Sequence, residues 1–152
     1  QAPDRVLAKL STDAENPSGL EESVETLVQF PDAAGYLHLT WRAAMRRNSA
    51  VIQGTKGTLL IDDDRLLLTT SDGVREELTF PAALSAGSHH ADWFEQLLPD
   101  FVAEVRDPGK RGANFLEAGW CLALTEASYE SHRRGFHEVA VQHPSHAPAP
   151  VS

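Results

Sequence analysis

The sequence predicts an α+β fold: an open, mostly antiparallel sheet with two helices packed on one face. Three observations carry this. The first two-thirds of the chain alternates polar and apolar residues in short runs, the period of a strand. The runs are separated by turns of two to five residues rich in Gly, Asp and Pro, too short for the crossovers that parallel strands require. The last third then changes to helical spacing, and strands followed by helices is the order of an α+β domain.

Each element has its own warrant in the 152 residues. Arg5 to Leu10 places Val6, Ala8 and Leu10 on one side, and the polar stretch Ser11 to Gly19 reads as a loop. Val24 to Phe30, the turn Pro31 to Gly35, and Tyr36 to Trp41 form a hairpin. In its second strand Tyr36, His38 and Thr40 face one way, and Leu37, Leu39 and Trp41 the other. Ser49 to Gln53, a Gly54-Thr55-Lys56-Gly57 turn and Thr58 to Ile61 make the next hairpin. After the turn Asp62-Asp63-Asp64 come Arg65 to Thr70, the turn Ser71-Asp72-Gly73, and Val74 to Phe80.

Ser88 to Asp92 reads as a helix start, and Trp93, Leu97, Phe101 and Val105 recur at steps of four. Pro99 is expected to kink or divide that helix after Leu98, and Asp107-Pro108-Gly109 to end it. Asn114 with Glu117 reads as the capping box of a second helix. Its apolar stripe is Leu116, Trp120, Ala123, Leu124 and Ala127, and Gly135 suits its C-terminal cap. A short strand, Glu138 to Val141, follows, and residues 143–152, rich in Pro and Ala, read as a disordered tail. The domain is expected to span residues 1–142, with no internal repeat.

Composition narrows the function classes. Net charge is −9, which argues against a nucleic-acid groove or an anionic membrane surface as partner. No apolar run approaches the ~20 residues that span a bilayer. The single cysteine, Cys121, excludes an internal disulfide framework and reads as a buried, inert thiol. A cytoplasmic location fits. The opening Gln1-Ala2-Pro3-Asp4-Arg5 carries no signal-peptide core and reads as the start of a piece cut from something longer.

The segment Val51-Ile52-Gln53-Gly54-Thr55-Lys56-Gly57-Thr58-Leu59, the two short strands after it, the Trp93-Phe94 helix start and the long Asn114 to Gly135 helix together resemble one family. It is the C-terminal domain of the glucose-fructose oxidoreductase, inositol dehydrogenase and rhizopine-catabolism (Gfo/Idh/MocA) oxidoreductases. The resemblance covers roughly residues 1–142 and rests on the order and spacing of the parts. It implies a parent enzyme whose other half is a Rossmann fold that binds NAD or NADP and carries a Glu-Lys-Pro motif with a catalytic lysine. An Asp-x-x-x-His motif near the entry to the second domain supplies the other catalytic group in that family. This chain has no G-x-G-x-x-G after a first strand, no Glu-Lys-Pro, and no Asp-x-x-x-His at its strand entry. No catalytic, cofactor-binding or metal residue is therefore assigned to it. The implied role is shaping a sugar-like substrate and oligomerising, with NAD or NADP left to the parent.

Three clusters invite a functional reading. Arg42, Arg46 and Arg47 follow Trp41 in an otherwise acidic chain. In the family this connection borders the substrate pocket, and an arginine fork suits hydroxyl, carboxylate or phosphate groups. Base rates favour a solvated turn instead. His89 and His90, with Asp92, read either as a helix start capped by Ser88, as the rim of the pocket, or as a tight metal set without a further ligand. Asp62-Asp63-Asp64 lacks the pattern of a calcium loop and reads as a hairpin turn. The substrate-binding candidates are thus Arg46, Arg47, His89 and His90. The mixed face of Tyr36, His38 and Thr40 is the expected homodimer surface, since the face opposite the helices needs cover or polarity. A stand-alone ligand-binding or assembly module is the alternative reading. A small lyase or isomerase using His89 or His90 as base is weaker, because no carboxylate is placed to orient the base.

Overall fold

The computed structural model describes residues 1–12, 18–87, 91–110 and 113–144. The elements are β1 (Arg5–Ser11), β2 (Ser23–Phe30), β3 (Ala33–Thr40), β4 (Ser49–Gly54), β5 (Gly57–Asp62), β6 (Arg65–Thr70), β7 (Arg75–Thr79), α1 (Ala91–Arg106), α2 (Ala113–Arg133) and β8 (Val139–Ala140). A 3₁₀ turn, Pro108–Lys110, follows α1. The α+β class holds, with the strands shared between two open antiparallel sheets ordered β3-β2-β1-β8 and β4-β5-β6-β7. The chain divides into two compact units, residues 1–42 with 100–152, and residues 43–99.

The first unit is built on β1. Val6, Ala8 and Leu10 alternate onto one face and are buried there with Ala127 of α2, while Val24, Val28, Val139 and Val141 pack around them. Two alanines at the contact let helix and sheet approach closely. β8 covers only Arg5 and Val6 of the outer edge of β1. That leaves the Ala8 N–H facing away from β2, and the fully buried Ser131 of α2 supplies its acceptor at 2.8 Å. The same hydroxyl donates to the His137 carbonyl at 2.6 Å, so one side chain satisfies two backbone groups that strand pairing misses.

The hairpin turn between β2 and β3 is tighter than the sequence reading, with Phe30 paired to Ala33 across Pro31-Asp32. β3 therefore starts at Ala33, and Gly35 lies within the ladder opposite Val28. The expected alternation is present: Leu37 and Leu39 pair with Thr26 and Val24 on the helix-bearing face, whereas Tyr36 and His38 pair with Leu27 and Glu25 on the other.

α1 runs undivided through Pro99. The missing N–H costs one helical bond, to the Glu95 carbonyl, and both residues are exposed so water can replace it. Its apolar residues Trp93, Leu97, Phe101 and Val105 are exposed. α2 begins at Ala113, one residue ahead of the expected cap, and the side chain of Asn114 lies outside the described residues. It ends as expected, with Gly135 at φ 76° and its N–H on the His132 carbonyl at 2.9 Å. Of the expected tail, His143 stacks edge-on against Trp120 at 4.8 Å. A Cβ on Gly119 would lie 2.7 Å from Pro144. Residues 145–152 lie outside the described residues.

The second unit's sheet is a meander whose register sets two faces. Ala50, Ile61, Leu66 and Leu78 form one cross-strand row, and Ile52, Leu59 and Leu68 lie beside it on the same face. The opposite face carries Val51, Leu60 and Leu67, with Asp62 and Arg65 at one end. Gly57 is obligatory at its hairpin: φ is 157°, and a Cβ would stand 2.4 Å from the Thr69 carbonyl oxygen.

Candidate functional site

The arginine run does not act as one cluster. Arg42 belongs to the first unit, where its Nε donates to Glu22 Oε2 at 2.6 Å. Arg47 belongs to the second and forms a fork on Asp62, with Nε to Oδ1 at 2.8 Å and a terminal nitrogen to Oδ2 at 2.6 Å. Arg65 reaches the same carboxylate at 3.2 Å. The Arg47 hydrogen bonds hold the Asp62 carboxyl below its ordinary range, and Asp62 in turn raises the guanidinium. This fork secures the connection between β3 and β4 to the end of β5. Arg46 is exposed in that connection. His89 and His90 lie outside the described residues, and Asp92 sits exposed in the first turn of α1.

The aspartate turn is a structural device. Asp63 takes φ 59°, a conformation that Asp tolerates better than most residues, and its carboxylate accepts the Ser85 N–H at 2.9 Å and hydroxyl at 2.5 Å. With Asp62 held by arginines, two of the three carboxylates are committed to the protein. Among the described residues no three metal-binding side chains gather. The reading of Cys121 as buried is corrected: it is exposed. The stripe that meets β1 runs through Ala127 and Ser131, and Cys121 falls on another side of α2.

A polar corner that sequence reasoning missed lies in the first unit, where β2 begins and β3 ends. Glu22 N–H bonds the Ser11 carbonyl and Trp41 N–H bonds the Glu22 carbonyl, both at 2.8 Å. Ser23 and Thr40 hydroxyls meet at 2.6 Å. The Tyr129 hydroxyl of α2 donates to Glu21. That bond holds the Glu21 carboxyl below its usual range and raises the Tyr129 phenol. Trp41, whose backbone joins this corner, is 88% exposed. The only sequence signal was an aromatic residue with an arginine at a strand end.

Neither sheet offers a dinucleotide cradle. All strand pairs are antiparallel, so no described strand feeds a helix in a parallel crossover of the kind that binds pyrophosphate. No glycine-rich strand–turn–helix is present in the sequence. The described residues thus form an antiparallel α+β module of two open sheets and two helices.

Comparison with known proteins bears on the fold alone. No family model matches the chain, and no curated protein matches it. Solved structures do. An oxidoreductase from Pseudomonas syringae superposes with TM-score 0.70 at 15% identity, over 93% of this chain and 46% of that one. Two proteins assigned provisionally as oxidoreductases are also similar. One, from Thermotoga maritima, has TM-score 0.63 at 20% identity over 91% of this chain and 41% of that one. The other, from Klebsiella pneumoniae, has TM-score 0.60 at 16% identity over 92% and 44%. The shared property is the fold, and the chain spans less than half the length of each. No described helix is long and apolar enough to cross a membrane.

Proposed function

We propose that this chain is the C-terminal, substrate-side and oligomerisation domain of an NAD(P)-dependent sugar or cyclitol oxidoreductase of the Gfo/Idh/MocA type. The observation that carries the reading is the asymmetry of coverage: more than nine-tenths of this chain matches less than half of each oxidoreductase. The antiparallel topology, which does not suit a dinucleotide, supports the same division of labour. In this reading the cofactor and hydride transfer belong to the parent's other half. Arg46 and Arg47 border the substrate, with His89 and His90 at its rim, and Arg47 holds their loop through Asp62. A reducing, cytoplasmic setting suits a chain with one cysteine.

We further propose a homodimer joined through the open sheet face that carries Tyr36, His38 and Thr40. Its rows are Leu7-Leu27-Tyr36 and Lys9-Glu25-His38, an apolar line beside a charged one, as at a partly wet interface. Light scattering that gives a monomer at tens of micromolar removes this part of the proposal.

The test of the main reading is an NADH fluorescence titration of this chain and of the polypeptide made from its complete reading frame. The complete polypeptide is expected to bind saturably and this chain alone is not. Saturable binding by this chain overturns the assignment of halves. A complete frame without a glycine-rich strand–turn–helix overturns the oxidoreductase reading.

A further inference from the structure

We infer that the Leu60–Leu67 face of the second sheet carries a binding site for an acidic α-amino acid, with Arg65 and Arg75 taking its two carboxylates, Glu77 its ammonium and Leu67 its methylenes. The inference concerns the second unit alone and does not use the oxidoreductase reading.

Leu60, Asp62, Arg65, Leu67, Arg75 and Glu77 line one cleft on that face. The ladder register explains why they meet. Leu60, Leu67 and Glu77 form one cross-strand row, and Arg65 and Arg75 stand on opposite sides of it. Arg65 pairs with Thr79, four residues beyond Arg75 on β7. The two arginine Cα atoms are therefore about 14 Å apart, from a rise of ~3.4 Å per residue and ~4.8 Å between strands, with Glu77 midway along β7. The cleft holds about 350 Å³, counted to its open side, which is the small end of the roughly 300–1,000 Å³ of small-molecule sites.

The charges select the ligand. Asp62 is already held by the Arg47 fork and by Arg65. Among the described residues, no ion pair or hydrogen bond engages the side chain of Arg75 or Glu77, and the Arg65 side chain makes only its bond to Asp62. Arg47, Arg65 and Arg75 against Asp62 and Glu77 leave a surplus of one positive charge, in a chain whose net charge is −9. A guanidinium presents its donors in a fork that suits a carboxylate. The matching ligand therefore has two carboxylates, one cation between them and a short apolar chain to lie over Leu67. Glutamate and aspartate have that form: the ammonium answers Glu77, and the net negative charge answers the surplus. A simple dicarboxylate lacks the ammonium and is repelled by Glu77.

The test is an NMR titration of the intact chain at low ionic strength, where an open site is least screened, reading the backbone amides of β6 and β7. L-Glutamate is expected to move the Leu67 and Glu77 signals saturably in the millimolar range, glutarate to bind more weakly, and L-lysine to leave them in place. Arg75→Gln should weaken glutamate roughly fivefold or more, the loss of one charge-assisted carboxylate fork. Glu77→Gln should weaken glutamate and strengthen glutarate, since it removes the partner of the ammonium and the repulsion of a carboxylate together. Arg106→Gln, which removes a cation of α1 outside the cleft, should change neither. All three side chains are exposed, so the variants are expected to keep the wild-type melting temperature. No saturation by glutamate, glutarate binding as tightly as glutamate, unchanged affinity in Arg75→Gln, or equal weakening in Arg106→Gln overturns the proposal and returns the cleft to a solvated face of mixed charge. None of these outcomes depends on turnover or on a nicotinamide, so the site can fail while the oxidoreductase reading stands, and the reverse.

Discussion

Replacing Ser131 by Ala should cost the chain about 2–4 kcal/mol of stability. Ser131 is fully buried, and its hydroxyl is the partner of both the Ala8 N–H at 2.8 Å and the His137 carbonyl at 2.6 Å. Removing it leaves a buried donor and a part-buried acceptor without that partner, a buried group costing roughly 1–3 kcal/mol and the part-buried one less where water reaches it. A domain of this size has only about 5–15 kcal/mol in total, so the loss is a large share. In urea unfolding with a slope of roughly 1–3 kcal/mol/M, the midpoint should fall by about 1–2 M while the slope stays constant. Ser128→Ala is the control, because the Ser128 hydroxyl bonds only its own helix, at the Leu124 carbonyl, and should shift stability by under about 0.5 kcal/mol. A Ser131→Ala midpoint within error of that control would refute the claim that α2 completes the edge of β1.

Three further outcomes follow from the geometry. Gly57→Ala should lower the melting temperature markedly, by about 1–3 kcal/mol or more of stability, because its Cβ meets backbone at 2.4 Å; Gly35→Ala, where a Cβ meets nothing within 4 Å, should not. Asp62 has its carboxyl depressed by Arg47, so this interaction is fully present above the ordinary aspartate range and is lost as pH falls through the lowered value. Wild type should therefore lose more stability than Asp62→Asn between neutral and acid pH, and parallel denaturation curves for the two would contradict the pairing. On the proposed function, Arg46→Ala in the complete polypeptide should raise KM for a polyol several-fold, and an unchanged KM returns Arg46 to an ordinary surface role.

The local parts of this structure were legible in the sequence, and the non-local ones were not. Alternation placed Val6, Ala8 and Leu10 on one face, and the pairs at Gly54–Gly57 and Asp62–Arg65 closed their hairpins as their turn residues require. The division into two sheets was not visible, because strand pairing beyond a hairpin leaves no local trace. The site suffered from the same limit. Arg47 reads as an available fork until Asp62, fifteen positions away, is seen to occupy it. Cys121 sits in an apolar run, but which side of a helix meets a sheet depends on the angle of docking. Ser131 and Tyr129 look like ordinary helix residues until their partners at Ala8 and Glu21, more than a hundred positions earlier, are known.

The central claim is that this chain serves the substrate side of a nicotinamide-dependent oxidoreductase whose chemistry lies elsewhere. Its most direct test is the rate of NAD or NADP reduction with a panel of sugars and cyclitols, comparing the complete reading-frame product with this chain alone. The account predicts polyol-dependent reduction by the complete polypeptide and none by this chain. Turnover by this chain alone, or a complete polypeptide that reduces neither cofactor with any of the polyols, would contradict it.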